Sequence, residues 1–278
     1  MDFYNLFPNI EGWVQGLPHV FPVSLLKETV WGFAVIEAFH LLSLGLLGGC
    51  VIMLNLRLMG VGLTELSPSS LEQKLRPLLW LGVGGVLLSG VVIGMLNPEK
   101  LYTSPAFFAK MIAMVSALIF SFGVSNAVAK HEGGVTQGAM IAAGIAFLLW
   151  LWSIGVFSLS TGTNPGTFHM ITAGYAILLV FSRQLTRMIA LGVVALLVLA
   201  YVIYGYLVLG GPFNDYDAFM GTAKLLVQLG AVALVGLLGY EIFTGHARES
   251  TPLARLIALF SILSWVTVAA AGRWIGLS

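Results

Sequence analysis

Charge is what this chain has least of. Asp, Glu, Lys and Arg make up 9% of 278 residues, where a soluble domain carries roughly a quarter. The balance is +1, which leaves no basic patch for nucleic acid. Cys50 stands alone, so an intrachain disulfide and a thiolate metal cluster are both excluded. It lies in an apolar run and reads as inert packing. The first residues, Met1 to Glu11, carry two acids, and no Lys or Arg comes before Lys27. That is the reverse of a signal peptide's basic start, and none is expected. Motifs for soluble chemistry are missing too. There is no Gly-rich phosphate loop, no HExxH and no Ser-His-Asp set. Asp215 and Asp217 lack the spacing of a calcium loop and read as a solvated turn.

What is present is apolar. Hydrophobic residues reach 58% and mean hydropathy is +0.96. No fold in water hides that much, so the chain reads as an all-α, polytopic membrane protein. A spanning helix needs about 20 mostly apolar residues. Eight runs are candidates, at 29–56, 77–96, 106–129, 138–159, 168–182, 188–209, 219–243 and 254–276. The fifth is short, and the polar loop Ser160 to Thr167 precedes it, which suggests backbone dipping into the membrane. Residues 1–28 hold Trp13, Pro18, Phe21 and Pro22 and read as an interfacial segment or a docking arm. Gly90 and Gly94 form a GxxxG pattern that permits close helix contact.

The chain also repeats itself. Phe39-His40 returns as Phe168-His169, and Leu81-Gly82-Val83 as Leu191-Gly192-Val193. Pro98, Tyr102 and Lys110 return as Pro212, Tyr216 and Lys224, all at an offset of 114. His131 pairs with His246 and Trp152 with Trp265. This is a tandem duplication of a four-helix unit, 29–160 and 161–278, joined into eight transmembrane helices. Lys and Arg favour the cytoplasmic ends of helices. Arg57, Lys74, Arg76, Lys130, Arg183, Arg187, Arg248 and Arg255 share one side. Lys27, Lys100 and Arg273 share the other. Both termini are therefore expected in the periplasm, with the chain in a bacterial inner membrane.

Ionisable groups within membrane helices are costly and usually functional. Glu37 and His40 lie one turn apart on the first helix. His169 begins the fifth helix at a similar depth, on the equivalent helix of the second copy. Lys110 and Lys224 sit just inside the outer ends of helices three and seven, and Arg273 near the outer end of helix eight. Two imidazoles on facing helices are a common way to hold b-type haem, one axial nitrogen on each side of the iron. His40 and His169 are thus the candidate metal ligands. Glu37 is a candidate partner for the ring of His40. Lys110, Lys224 and Arg273 are candidate partners for the haem propionates. Quinone is a second candidate ligand. His131 and His246 fall at the opposite water interface, where a plain surface role is expected.

Several short motifs carry a resemblance. They are Glu37-x-x-His40, Asn55-Leu56-Arg57-Leu58-Met59-Gly60, Asn97-Pro98, Phe107-Phe108-x-Lys110, Asn126 with His131, Ser264-Trp265, and Gly272-Arg273-Trp274-Ile275. Together they resemble a family of uncharacterised bacterial inner-membrane proteins of about four or five helices. More loosely, the bundle is similar to copper-resistance-type and cytochrome b-type membrane domains. The motifs fall within 31–131 and 254–276. Asn55 stands where the family tends to have Asp, and Gly166 takes the Glu place in copy two. The resemblance implies an architecture and no settled activity.

The expectation is a membrane electron-transfer subunit that binds haem b and links quinone to a periplasmic redox protein. A transporter or channel for a small solute or metal ion is the alternative from a different class. A non-catalytic anchor within a larger membrane complex is the third. No extramembrane segment exceeds about 30 residues, too few to bury a core of its own.

Overall fold

The computed structural model describes residues 2–159, 165–244 and 250–276. The described residues are helical, with no strand among them. We number the long helices α1 (Gly32–Leu58), α2 (Pro68–Leu96), α3 (Pro105–Leu118, continued by a π-helical stretch Ile119–Ser125 and by Asn126–Lys130) and α4 (Gln137–Leu159). Then follow α5 (Pro165–Phe181), α6 (Gln184–Ala200, continued as π-helix over Tyr201–Val208), α7 (Tyr216–Thr244) and α8 (Pro252–Ile275).

Three of these helices start the same way. Ser67, Ser104 and Thr251 each accept a hydrogen bond from a backbone N–H three residues on, and each is followed by proline. A proline at the first helical position loses no hydrogen bond, and the hydroxyl satisfies a donor that the helix leaves free. The sequence pattern placed helix two at 77, after the charges. The helix instead begins at Pro68 and carries Pro77 inside it.

Seven helices among the described residues are long and apolar enough to cross a membrane. The fifth of the eight expected runs is present as a shorter apolar helix. α5 has 17 residues, about 25 Å of helix, against a hydrocarbon core of about 30 Å. Of the loop expected to dip before it, Ser160 to Thr167, residues 160–164 lie outside the described residues, as does His246, and residues 165–167 form the start of α5.

The chain divides into two compact units, Met1–Thr167 with Glu249–Ser278, and Phe168–Arg248. By contacts, then, the division does not follow the halves of the sequence repeat. α8, the last helix of the second copy, belongs to the first unit. It packs on α3, α1 and α4. Its best apolar window is 72% buried, against 11% for α6, so α8 is the central helix of its unit. The reason is local shape. Ala270 and Ala271 meet Ala106 and Ala109 of α3 beneath Phe157 of α4. Small residues let helix backbones approach closely, which is what holds helices together in lipid. Both motif-bearing stretches, 31–131 and 254–276, thereby fall in this one unit of five crossing helices.

α1 and α2 meet closely as well, and of the GxxxG pair only Gly90 faces α1. A Cβ at Gly82 would lie 2.9 Å from the Leu47 nitrogen and 3.0 Å from its Cα. Gly85 faces Ser43, and Gly90 faces the ring of His40. Gly94 meets only a methyl of Leu101. The glycines that matter are those on the α1 face of α2.

Residues 3–28 fold into short helices that cap one end of the first unit. Val23–Glu28 packs on α1 and α2, and Glu11–Gly16 packs on the short helix Pro98–Tyr102. Phe3 stacks edge-on against Phe108, with centroids 5.1 Å apart, and the Tyr102 hydroxyl donates to the Phe7 carbonyl.

In the second unit, α5, α6 and α7 pack together. The Tyr175 hydroxyl donates to the Gly230 carbonyl at 2.9 Å, and Phe219 sits among Tyr201 and Tyr206. Glu241 is buried and accepts from the Arg183 backbone at 2.6 Å and from its Nε at 3.0 Å. One carboxylate thus caps the start of α6 and neutralises the arginine beside it. Asp215 serves α7 in the same way, accepting from Ala218 N at 2.9 Å. The Asp215 turn is therefore a helix cap.

Candidate functional site

His40 sits on the ninth residue of α1 and turns toward α2. Its Nδ1 lies 2.8 Å from the Ser89 hydroxyl, which donates to the Gly85 carbonyl at 2.5 Å. The hydroxyl proton is committed to that carbonyl. Nδ1 must therefore carry the imidazole proton and donate to Ser89. Nε2 is left as the unprotonated nitrogen and makes no hydrogen bond among the described residues. That is the tautomer needed for a ligand to a metal, with the other nitrogen held by a fixed acceptor. Gly90 makes room for the ring, since a Cβ there would lie 3.4 Å from Cε1.

The expected partner for this ring was Glu37. Instead, Glu37 is exposed on α1, and Ser89 from the neighbouring helix holds the ring. A carboxylate one turn away on the same helix points along the same face without reaching the ring. Ser89 could not be singled out from the sequence, because lone serines in apolar helices are common and most bond to their own backbone.

Lys110 lies one turn into α3, half-buried, and makes no hydrogen bond or ion pair among the described residues. Its stem runs along α8. A Cβ at Gly272 would be 3.4 Å from both Cε and Nζ. Gly272 of the Gly-Arg-Trp ending thus makes room for the lysine of the Phe-Phe-x-Lys motif. The charge of Lys110 acts on His40. The first unit therefore brings together a neutral, oriented imidazole and an uncompensated ammonium. Arg273 follows on α8 and is exposed.

The second unit holds His169 and Lys224. His169 is half-buried on the first turns of α5, with its ring 6.1 Å from that of Phe168. Lys224 is exposed on α7. His131 follows the last turn of α3 and is exposed. No group of three or more His, Cys, Asp or Glu among the described residues is placed to hold a metal ion. Cys50 is buried at 1% exposure, in line with inert packing.

Deeper in the first unit runs a polar seam that the motifs hinted at. The Asn55 side chain donates to the Val51 carbonyl at 2.8 Å and to the Ser261 hydroxyl at 3.1 Å. It accepts from the Ser125 hydroxyl at 2.9 Å. Trp265 donates to Ser121 at 2.8 Å, and Trp150 to Thr267 at 2.9 Å. Ser121 and Ser125 both belong to the π-helical stretch of α3. This explains Asn55 and Trp265 as helix-joining elements, while Ser264 bonds back to the Ser261 carbonyl of its own helix; α1, α3, α4 and α8 are tied by side chains whose bonds are all internal.

Comparison with known proteins agrees with the coarser part of the resemblance. No curated protein and no solved structure matches the chain. Residues 28–160, the stretch that holds α1 to α4, match a family of unknown function (DUF6644).

Proposed function

We propose that this protein is a membrane electron-transfer subunit that binds b-type haem, with His40 and His169 as axial ligands, near the periplasmic face of a bacterial inner membrane. The observation that carries the reading is the state of His40: Nδ1 is engaged by Ser89 and Nε2 is left with its lone pair. The choice of His169 as second ligand rests on the sequence repeat. Lys110, with no counter-charge, suits a propionate, and Lys224 and Arg273 are the further cations on the same predicted side. Bound haem would supply one-electron chemistry. The chain itself would fix the ligand tautomer, provide positive charge and exclude water. The electron donor and acceptor would be quinone and a periplasmic redox protein.

The deciding experiment is the absorption spectrum of protein purified from cells with ample haem, oxidised and then reduced with dithionite. A sharpened Soret band with split α and β bands is expected, lost in both His40→Ala and His169→Ala. Ser89→Ala should keep some haem but weaken its binding by about 10–100-fold, the usual effect of removing a ligand's supporting hydrogen bond. A colourless protein would remove the cytochrome reading and shift weight to the transporter or the anchor.

A further inference from the structure

We infer that residues 3–31 form a membrane-surface platform, with its outward aromatic residues seated in the headgroup region of the bilayer. The inner side of this segment is settled: Val14 is 4% and Val23 2% exposed, packed against the bundle. Its outer side is not what water tolerates. Trp13 is 67%, Phe21 75% and Trp31 66% exposed, and Phe7, Val20, Leu25 and Val30 lie open beside them. Contiguous apolar surface of this kind marks a site of contact with lipid or protein.

Two features select lipid. The first is continuity. The segment runs into α1 through the turn at Thr29–Gly32, and its helices rest on α1, on α2 and on the short helix Pro98–Tyr102 before α3. It therefore lies level with the ends of membrane-crossing helices, where the apolar surface of the bundle meets the headgroups. The second is residue type. Trp and Tyr gather at that level because a flat ring with one polar atom suits a boundary that is apolar on one side and wet on the other. In the second unit, the turn between α6 and α7 repeats the theme with exposed Tyr206, Phe213 and Tyr216. Charge then narrows the lipid. The segment carries Glu11 and Glu28 against Lys27 alone, with Asp2 just before it, so attraction to anionic headgroups has no part in its seating. Apolar and aromatic contact does the work, and zwitterionic lipid suffices.

The test uses the full chain with Cys50→Ala, so that single cysteines can be spin-labelled. Trp13→Cys, Phe21→Cys and Trp31→Cys probe the platform, and Lys27→Cys gives a polar reference. Val30→Cys is added because Val30, at 101% exposure, has no packing to lose. The labelled proteins go into vesicles of zwitterionic phosphatidylcholine. Collision with oxygen, which prefers lipid, is compared with collision by a water-soluble nickel chelate. The expected result is a depth about 5–10 Å inside the headgroup–acyl boundary at the aromatic positions, and unchanged when anionic lipid is added. Two outcomes overturn the proposal. Free collision with nickel at all sites places the segment in water. Shielding from both reagents means that protein covers it, either a second copy or a partner.

Discussion

Adding one methyl group at Gly82 tests whether close packing of α1 on α2 holds the first unit together. A Cβ there would lie 2.9 Å from the Leu47 nitrogen and 3.0 Å from its Cα and Cβ. Two of these atoms are helix backbone and cannot rotate away. The helices must part by roughly half an ångström or more to restore ordinary contact, and a gap of that size forfeits about a quarter to a half of each dispersion contact along the seam. Overpacking of this kind costs about 1–3 kcal/mol. Ala in place of Gly returns up to about 1 kcal/mol through helix propensity. Gly82→Ala should therefore lose about 1–2 kcal/mol net, and Gly82→Leu more. Gly84, two residues away with nothing within 4 Å, is the control, and Gly84→Ala should be neutral or mildly stabilising. The lone cysteine supplies the assay. Cys50 is on α1, one turn from Leu47, and 1% exposed. A thiol-reactive fluorophore labels it only when the helices open, so labelling against temperature reports the stability of this seam. Gly82→Ala should bring labelling on at lower temperature, and Gly84→Ala should not. Equal curves for the two variants would refute the close-packing account.

Further outcomes follow from the same geometry. Asn55→Ala removes three side-chain hydrogen bonds, two of which join α1 to α8 and to α3, and should cost about 2–4 kcal/mol in detergent unfolding; an unchanged midpoint would mean that the seam adapts. Glu241→Gln strips the charge from a buried carboxylate bonded to Arg183, whose own side chain is 42% exposed, so the loss should be about 1–3 kcal/mol. Faster amide exchange at the start of α6 checks it, since Glu241 caps that end. Burial pushes the Tyr102 phenol above its ordinary value near 10, and the acidic Glu11, the phenol of Tyr4 and Asp2 add to the effect. A raised value means the folded form prefers the neutral phenol. Docking of residues 3–28 is then fully present below pH 10 and is lost as pH rises beyond it. Alkaline-induced proteolysis of the N-terminal segment should show this, and Tyr102→Phe should flatten the dependence while weakening docking at neutral pH.

Composition and run length determined the class of this protein. A chain so poor in charge can satisfy its backbone in lipid only as helices, and seven of the eight apolar runs fold as helices of crossing length. The helix starts at Pro105 and Pro252 lie within two residues of the expected 106 and 254, whereas helix two, expected at 77, begins at Pro68, because its first turns carry charge and fall outside the apolar run. His40, Lys110 and Arg273 stand out in the sequence because each is an ionisable group within or at the end of an apolar run. Partnership was not legible. Ser89, which holds His40, is 49 residues away, and Gly272, which admits Lys110, is farther still. Such pairs depend on how helices are rotated and which ones are neighbours, and apolar all-round helices carry no stripe that records either. For the same reason the repeat suggested two equal halves, while α8 lies within the first unit. In lipid, apolar character cannot choose between neighbours; small residues and hydrogen-bonding side chains do. Ala270, Ala271, Ser261, Trp265 and Thr267 on α8 find their match on α1, α3 and α4, and only the folded structure shows it.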